Sequence, residues 1–286
     1  MSEQFGFVAI IGRPNVGKST LLNRILGKKI SITSKKPQTT RNRILGIKTV
    51  ENTQVAYVDT PGLHANEKFA AHRHLNRAAR AILQEVDLIM FLVDVKGWED
   101  EDDWILEQLK SVGAPVILVV NKIDRLNNPK ALLPFMEDAA KRFDFKTIVP
   151  ISAKKGDQVF VLEEEIIANL PEGLHGYPPD QWTDRNDRFM AAEILREKLF
   201  RMLGEELPYA IHVTIDAFEE DTNLIKIAAI IWVQKDSQKA IVIGKGGSHL
   251  KDIATKARLD MERYFEKKVF LKPWVKVGTP KQQEED

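Results

Sequence analysis

The sequence predicts an α/β protein in two parts, a mixed, mostly parallel sheet with helices on both faces followed by a smaller α+β domain. Three observations carry this. Short, nearly solid apolar runs at 7–11, 44–50, 55–58, 87–93, 115–120 and 148–151 alternate with helical patterns, as strands buried on both faces require. A glycine-bounded loop at 12–19 joins the first run to the first helix, whose Leu22, Ile25 and Leu26 fall at helical spacing. A proline- and glycine-rich break at 171–180 then separates the two parts. Residues 171–225 hold 5 Lys/Arg against 12 Asp/Glu, and 226–276 hold 12 against 5.

Composition narrows the class. At 286 residues the chain exceeds what one core usually organises, so two domains are expected. A hydrophobic content of 43% with 29% charged residues is that of an ordinary globular protein. The net charge of +1 argues against an evenly basic nucleic-acid binder, but it averages over the acidic and basic stretches. The absence of cysteine excludes disulfides and thiol chemistry. No basic-then-apolar leader and no run of 18 apolar residues is visible, so neither a signal peptide nor a membrane span is expected.

In order, Gly12, Arg13, Pro14, Asn15, Val16, Gly17, Lys18 and Ser19, followed by Thr20, form G-x-x-x-x-G-K-S between strand and helix. There backbone N–H groups and a helix N-terminus converge on one point, and glycines let a phosphate approach. Lys18 would reach the β- and γ-phosphates and the Ser19 hydroxyl would ligate Mg²⁺. The basic, proline-interrupted stretch 28–41 reads as a functional loop. The strand ending at Val58 runs into Asp59, Thr60, Pro61 and Gly62, a carboxylate and a glycine turn suited to an outer-sphere Mg²⁺ contact and a γ-phosphate sensor. Residues 72–84, 100–109 and 129–143 read as helices. Asn121, Lys122 and Asp124 form N-K-x-D at a strand's end, where the Asp124 carboxylate can accept from both guanine N1–H and its exocyclic amine. At Ser152, Ala153 and Lys154 a backbone N–H could meet the base oxygen.

In the second half, helix 187–203, strands 209–218 and 224–233, helix 248–265 and strand 269–277 are expected. β-Branched residues make 239–243 a strand by propensity alone. Trp274 reads as structural, and Glu284, Glu285 and Asp286 as a solvated tail.

Together the elements of the first half resemble translation-factor-type GTPases, and G-R-P-N-V-G-K-S with P-Q-T-T-R resembles the Era/TrmE branch. The resemblance implies GTP and GDP as ligands and Thr40 as the Mg²⁺ ligand that orders with GTP. It makes Lys18, Thr40, Asp59 and Gly62 the hydrolytic set, and it implies K⁺ at Asn15 as a hypothesis. Leu63 stands where a water-orienting glutamine would be, so slow intrinsic turnover is expected. Ile243, Gly244, Lys245, Gly246 and Gly247, with Lys251, are similar to the V-I-G-x-x-G core of a type II KH domain, which clamps single-stranded RNA. That resemblance makes 239–243 a helix.

The pairing is similar to the Era family. It implies a GTP-hydrolysing switch that binds the 3′ end of 16S rRNA and assists assembly of the small (30S) ribosomal subunit. The protein would be cytoplasmic, with peripheral association at the cytoplasmic face of the inner membrane, monomeric, and without a DNA partner. GTP and Mg²⁺ would order the segment around Thr40 and the loop after Gly62, changing how the domains dock and so the exposure of the RNA groove. The expected boundaries are 1–170 for the GTPase domain, 171–186 for a linker, 187–280 for the KH domain and 281–286 for the tail. Two other readings stay open: a tRNA-modification GTPase, and a KH-like fold that docks protein.

Overall fold

The structure, a computed structural model, describes residues 2–33, 43–59, 80–204 and 207–279. The chain divides into two compact units, Met1–Ser31 with Pro37–Asp184, and Ile32–Lys36 with Arg185–Asp286.

The first unit is built on β1 (Gln4–Ile11), β2 (Ile44–Val50), β3 (Thr53–Asp59), β4 (Leu88–Asp94), β5 (Val116–Asn121) and β6 (Thr147–Ile151), in the sheet order β2-β3-β1-β4-β5-β6. Only β2–β3 is antiparallel. The solid apolar runs fit this arrangement, for β4 and β5 are buried along their whole length. Helices α1 (Lys18–Leu26), α2 (Asp100–Leu109), α3 (Leu132–Ala140) and α4 (Val159–Ala168) belong to this unit, and residues 80–83 are also helical. β1 lies between β3 and β4, and the chain crosses from β3 on one side of it to β4 on the other. The C-terminal end of β1 is therefore a switch point, where α/β sheets open a binding crevice.

Two helices differ from expectation. The helix expected over 129–143 is a 3₁₀ turn, Pro129–Ala131, followed by α3. The Asn128 side chain accepts from Lys130 N–H to start the turn, and tight bonds from Lys141 and Arg142 N–H close α3. Helix α4 was not anticipated, although Val159, Leu162 and Ile166 form its buried stripe.

The stretch expected to be a linker, 171–186, lies with the first unit as far as Asp184. Gln54, fully buried, exchanges hydrogen bonds with Tyr177 N–H and C=O. Ile47 N–H donates to Trp182 C=O and Leu45 N–H to the Asp184 carboxylate. The stretch thereby pairs the open edge of β2, which would otherwise expose a row of unpaired backbone groups.

The second unit has a three-stranded sheet of β7 (His212–Glu220), β8 (Leu224–Val233) and β9 (Lys268–Val277), antiparallel between β7 and β8 and parallel between β8 and β9. Helices α5 (Asp187–Met202), α6 (Asp236–Ile243) and α7 (Ser248–Phe265) share one core with one face of the sheet, through Leu195, Leu199, Ile227, Ile231, Val242, Ile253 and Ala257. Residues 239–243 are thus helical. Thr33 is tied into this unit, its N–H and hydroxyl both donating to the buried Glu197 carboxylate on α5. The expectation that Trp274 is structural does not hold: its side chain lies on the face of β9 opposite the core and is 54% exposed. Odd-numbered β9 residues such as Val269 and Val275 take the inner face, and the two-residue period of a strand sends Trp274 outward.

Candidate functional site

The loop 12–17 leaves the C-terminal end of β1 and feeds α1. Gly17 has φ +112°, and a Cβ there would meet the Asn121 amide nitrogen at 2.3 Å, so only glycine lets the two loops touch. Lys18 opens α1 with its side chain folded back over the loop, its Nζ donating to Gly12 C=O at 2.7 Å and to Arg13 C=O at 2.9 Å. Burial pushes this ammonium down to about 8, against a counter-pull from Asp59, Glu101 and Asp102. A buried cation held only by neutral carbonyls at short range is a strong attractor for phosphate.

Asp59 ends β3, fully buried. The Ser19 hydroxyl donates to Asp59 Oδ2 at 3.0 Å and the Ser31 hydroxyl to the same oxygen at 2.7 Å. A hydroxyl at a helix N-terminus facing a buried carboxylate is a hard-oxygen donor set that fits a small divalent cation. No cluster of three or more His, Cys, Asp or Glu side chains that could hold a metal occurs among the described residues. Thr40, and Thr60, Pro61, Gly62 and Leu63, lie outside the described residues.

The C-terminal ends of β5 and β6 meet this loop. Asn121 is the hub: its Nδ2–H donates to Val16 C=O at 2.8 Å, and its Oδ1 accepts from Lys122 N–H at 2.7 Å and Ala153 N–H at 3.0 Å. Lys122 Nζ donates to Asn15 C=O at 2.6 Å and to Asp94 Oδ2 at 2.7 Å. Burial works against the Asp94 charge, but the Lys122 ammonium and Lys96 N–H outweigh it and hold this carboxyl below the usual range. Ser152 Oγ–H donates to Asp124 Oδ1 at 2.7 Å, which fixes the carboxylate's orientation. Pro14 and the half-buried Thr20 flank the cradle. Asn15 is exposed at the loop's tip with φ +64°, a conformation asparagine tolerates.

Several supports had no sequence signal. Arg24 on α1 donates to the Ala153 and Lys154 carbonyls, fastening the 152–154 turn to the helix that starts with Lys18. Arg13 is held by Asp102 of α2 at 3.0 Å and by Glu99, just before that helix, at 2.9 Å. Ser31 and Asp94 join through residues 28 positions away. Only Asp94, a carboxylate ending a buried strand, carried a local hint.

In the second unit, Gly244, Lys245, Gly246 and Gly247 form the turn between α6 and α7, with Lys245 and Gly246 exposed. Gly246 has φ +60° and nothing within 4 Å of where a Cβ would stand, so the loop's outer surface is open. Lys251 is exposed in the first turns of α7, and Ile243 is packed at the rim of the core.

Comparison with known proteins agrees with both halves. Residues 7–122 match the family described as "50S ribosome-binding GTPase", and 206–282 match "KH domain". The chain is 55% identical to GTPase Era of Coxiella burnetii (strain Dugway 5J108-111) over 272 residues, which is 95% of this chain and 92% of that protein. It is 52% identical to GTPase Era of Histophilus somni (strain 129Pt) over 281 residues, 97% and 94% of the two chains. A crystal structure of Era with MgGDPNP and nucleotides 1506–1542 of 16S ribosomal RNA superposes with a TM-score of 0.91 at 40% identity, covering 96% of this chain and 94% of that one. An Aquifex aeolicus Era variant bound to GDP·AlF4⁻ gives the same TM-score, identity and coverage. The fold is a P-loop GTPase domain followed by a KH domain, and with relatives this similar along nearly its full length the chain belongs to the Era family of GTPases.

Proposed function

We propose that this chain couples GTP binding and hydrolysis to a grip on single-stranded RNA, the RNA being the 3′ end of 16S rRNA during assembly of the 30S subunit. The observation that carries the nucleotide half is the Asn121 hub. It binds the phosphate loop, the Lys122 loop and the 152–154 turn into one rigid unit, while Ser152 aims Asp124. A carboxylate so oriented accepts from guanine N1–H and the 2-amino group; adenine offers no such donor pair, and the mismatch leaves a polar group unpaired. Gly12 to Thr20 surround the phosphates, and Lys18 exchanges its two carbonyl partners for phosphate oxygens.

Ser19, Asp59 and Thr40 would hold Mg²⁺, which would supply charge neutralisation for the phosphate oxygens. Leu63 cannot orient water, so unassisted turnover is slow, and Gly62 senses the γ-phosphate through its N–H. K⁺ at Asn15 would supply charge where other GTPases use an arginine; the exposed loop tip supports this role. The RNA half rests on the open glycine turn with Lys245 and Lys251, and on the related Era crystallised with 16S rRNA nucleotides. Nucleotide state sets RNA affinity. Peripheral residence at the inner membrane belongs to the same family reading; no described helix is long and apolar enough to cross a membrane.

The test is competition binding of GTP, GDP and ATP with the purified chain, then RNA binding in each nucleotide state and hydrolysis in K⁺ or Na⁺. Guanine nucleotides should win by at least about 10³-fold. Comparable ATP affinity would remove the nucleotide reading, RNA affinity indifferent to nucleotide would remove the coupling, and equal rates in the two salts would remove K⁺.

A further inference from the structure

The exposed face of the second unit's sheet is not accounted for by the glycine turn. Along β9, Lys268, Phe270, Lys272, Trp274 and Lys276 point away from the core and are exposed, while Val269, Leu271 and Val275 face it. Cation and aromatic thus alternate every second residue, about 6.7 Å apart along the strand. The parallel register sets Ile230 of β8 beside Trp274 and Trp232 beside Lys276. Trp232 Nε1–H donates to Thr214 on β7 at 2.9 Å, which holds that ring on the same face. Lys272 lies 5.3 Å from the Trp274 ring centre and Lys276 5.8 Å from that of Trp232.

Edge strands are guarded by lysine and proline, and Pro273 with these lysines serves that end. Guarding does not explain Phe270 at 57% and Trp274 at 54% exposure, since two large aromatics left in water cost solubility without return. Aromatic rings interleaved with ammonium groups on a groove-free strand are the chemistry that takes up unpaired bases and their phosphates, by stacking and charge together. From this juxtaposition we propose that the outer face of β8 and β9 is a second binding surface for single-stranded RNA, separate from the 244–247 turn, with Trp274 and Phe270 as stacking platforms and Lys268, Lys272 and Lys276 as phosphate contacts. The inference rests on the reading of this unit as RNA-binding, but it assigns different residues.

The test uses the full chain and an unstructured 20-nucleotide oligoribonucleotide of A and C, followed by fluorescence anisotropy at several salt concentrations. Trp274→Ala with Phe270→Ala should weaken binding by about tenfold, and Lys272→Gln should reduce the salt slope by about 0.7. GTP hydrolysis should be unchanged in both, and the melting transition of the second unit should stay cooperative, which shows that the altered unit is folded. Lys245→Glu serves as the independent control on the turn. If Lys245→Glu weakens binding and the β9 variants do not, this inference falls and the RNA reading stands. If the unaltered chain binds no RNA, both fall. If the β9 variants keep their RNA affinity but lose sedimentation with phosphatidylglycerol vesicles, or lose self-association in analytical ultracentrifugation, the face serves a membrane or a second copy and the proposal is overturned.

Discussion

Lys18 bears the clearest energetic signature at the residue scale. In the unfolded chain it titrates near 10.5, and in the fold near 8, because burial disfavours its charge more than Asp59 and its neighbours favour it. Between those two values the unfolded chain holds the extra proton, so stability rises with pH across that window. Below pH 8 the buried ammonium costs the nucleotide-free fold about 3 kcal/mol, and above 10.5 the cost is gone. Lys18→Met should therefore stabilise the nucleotide-free first unit at pH 7 by about 1–2 kcal/mol, after the two carbonyl hydrogen bonds are lost, while abolishing GTP binding. Urea titrations at pH 7 and pH 10 check it: the gain should shrink at the higher pH, and a loss of stability at pH 7 would refute the burial argument. The residues that carry this chemistry were legible because their spacing is local. Their supports were not, since Arg24 meets the 153 and 154 carbonyls across some 130 positions and nothing in either segment announces the other.

Helix α6 shows at the scale of an element how packing overrides propensity. Ile241, Val242 and Ile243 all lose side-chain freedom in a helix, at about 0.5 kcal/mol each relative to alanine. Against this, Val242 is fully buried, which is worth about 1.5–3 kcal/mol, and Gln238 accepts from Lys235 N–H and Gln234 N–H at the helix start. Gly244 ends the helix, its N–H bonded to Ala240 C=O at 2.9 Å. Burial therefore outweighs intrinsic preference, and residue-by-residue propensity misreads the segment as strand. Val242→Ala should destabilise the second unit by about 2 kcal/mol, whereas Ile241→Ala, at a site 54% exposed, should change it by less than about 0.5 kcal/mol. Chemical denaturation followed by a probe in the second unit distinguishes them; equal effects would mean that α6 is not held by Val242. The same scale explains the error at Trp274, where the sequence showed an aromatic in a strand but not which face the register would give it.

At the scale of the molecule, composition concealed as much as it revealed. A net charge of +1 hides an asymmetry within the second half, where an acidic stretch of 171–225 cancels a basic one of 226–276. The two compact units are equally distinct in what holds them: one core between α2, α3 and the parallel sheet, another between α5, α6, α7 and the sheet of β7, β8 and β9. Each ligand should consequently stabilise the unit that binds it. Mg²⁺ with GDP at a hundred times its Kd should add about 2.7 kcal/mol to the first unit, a rise of about 5–10 °C in its melting transition. A single-stranded oligoribonucleotide should raise the second transition instead. That second shift alone should respond to salt. If three lysines meet phosphates, affinity falls with a slope near −0.7 per contact, about twentyfold between 50 and 200 mM. The nucleotide shift depends on short, buried contacts around Lys18 and Asn121 and should change little over the same range. Differential scanning calorimetry with each ligand at both salt concentrations separates these effects. A single transition raised alike by GDP and by RNA would show the two cores melting as one, and the assignment of one ligand to each unit would have to be abandoned.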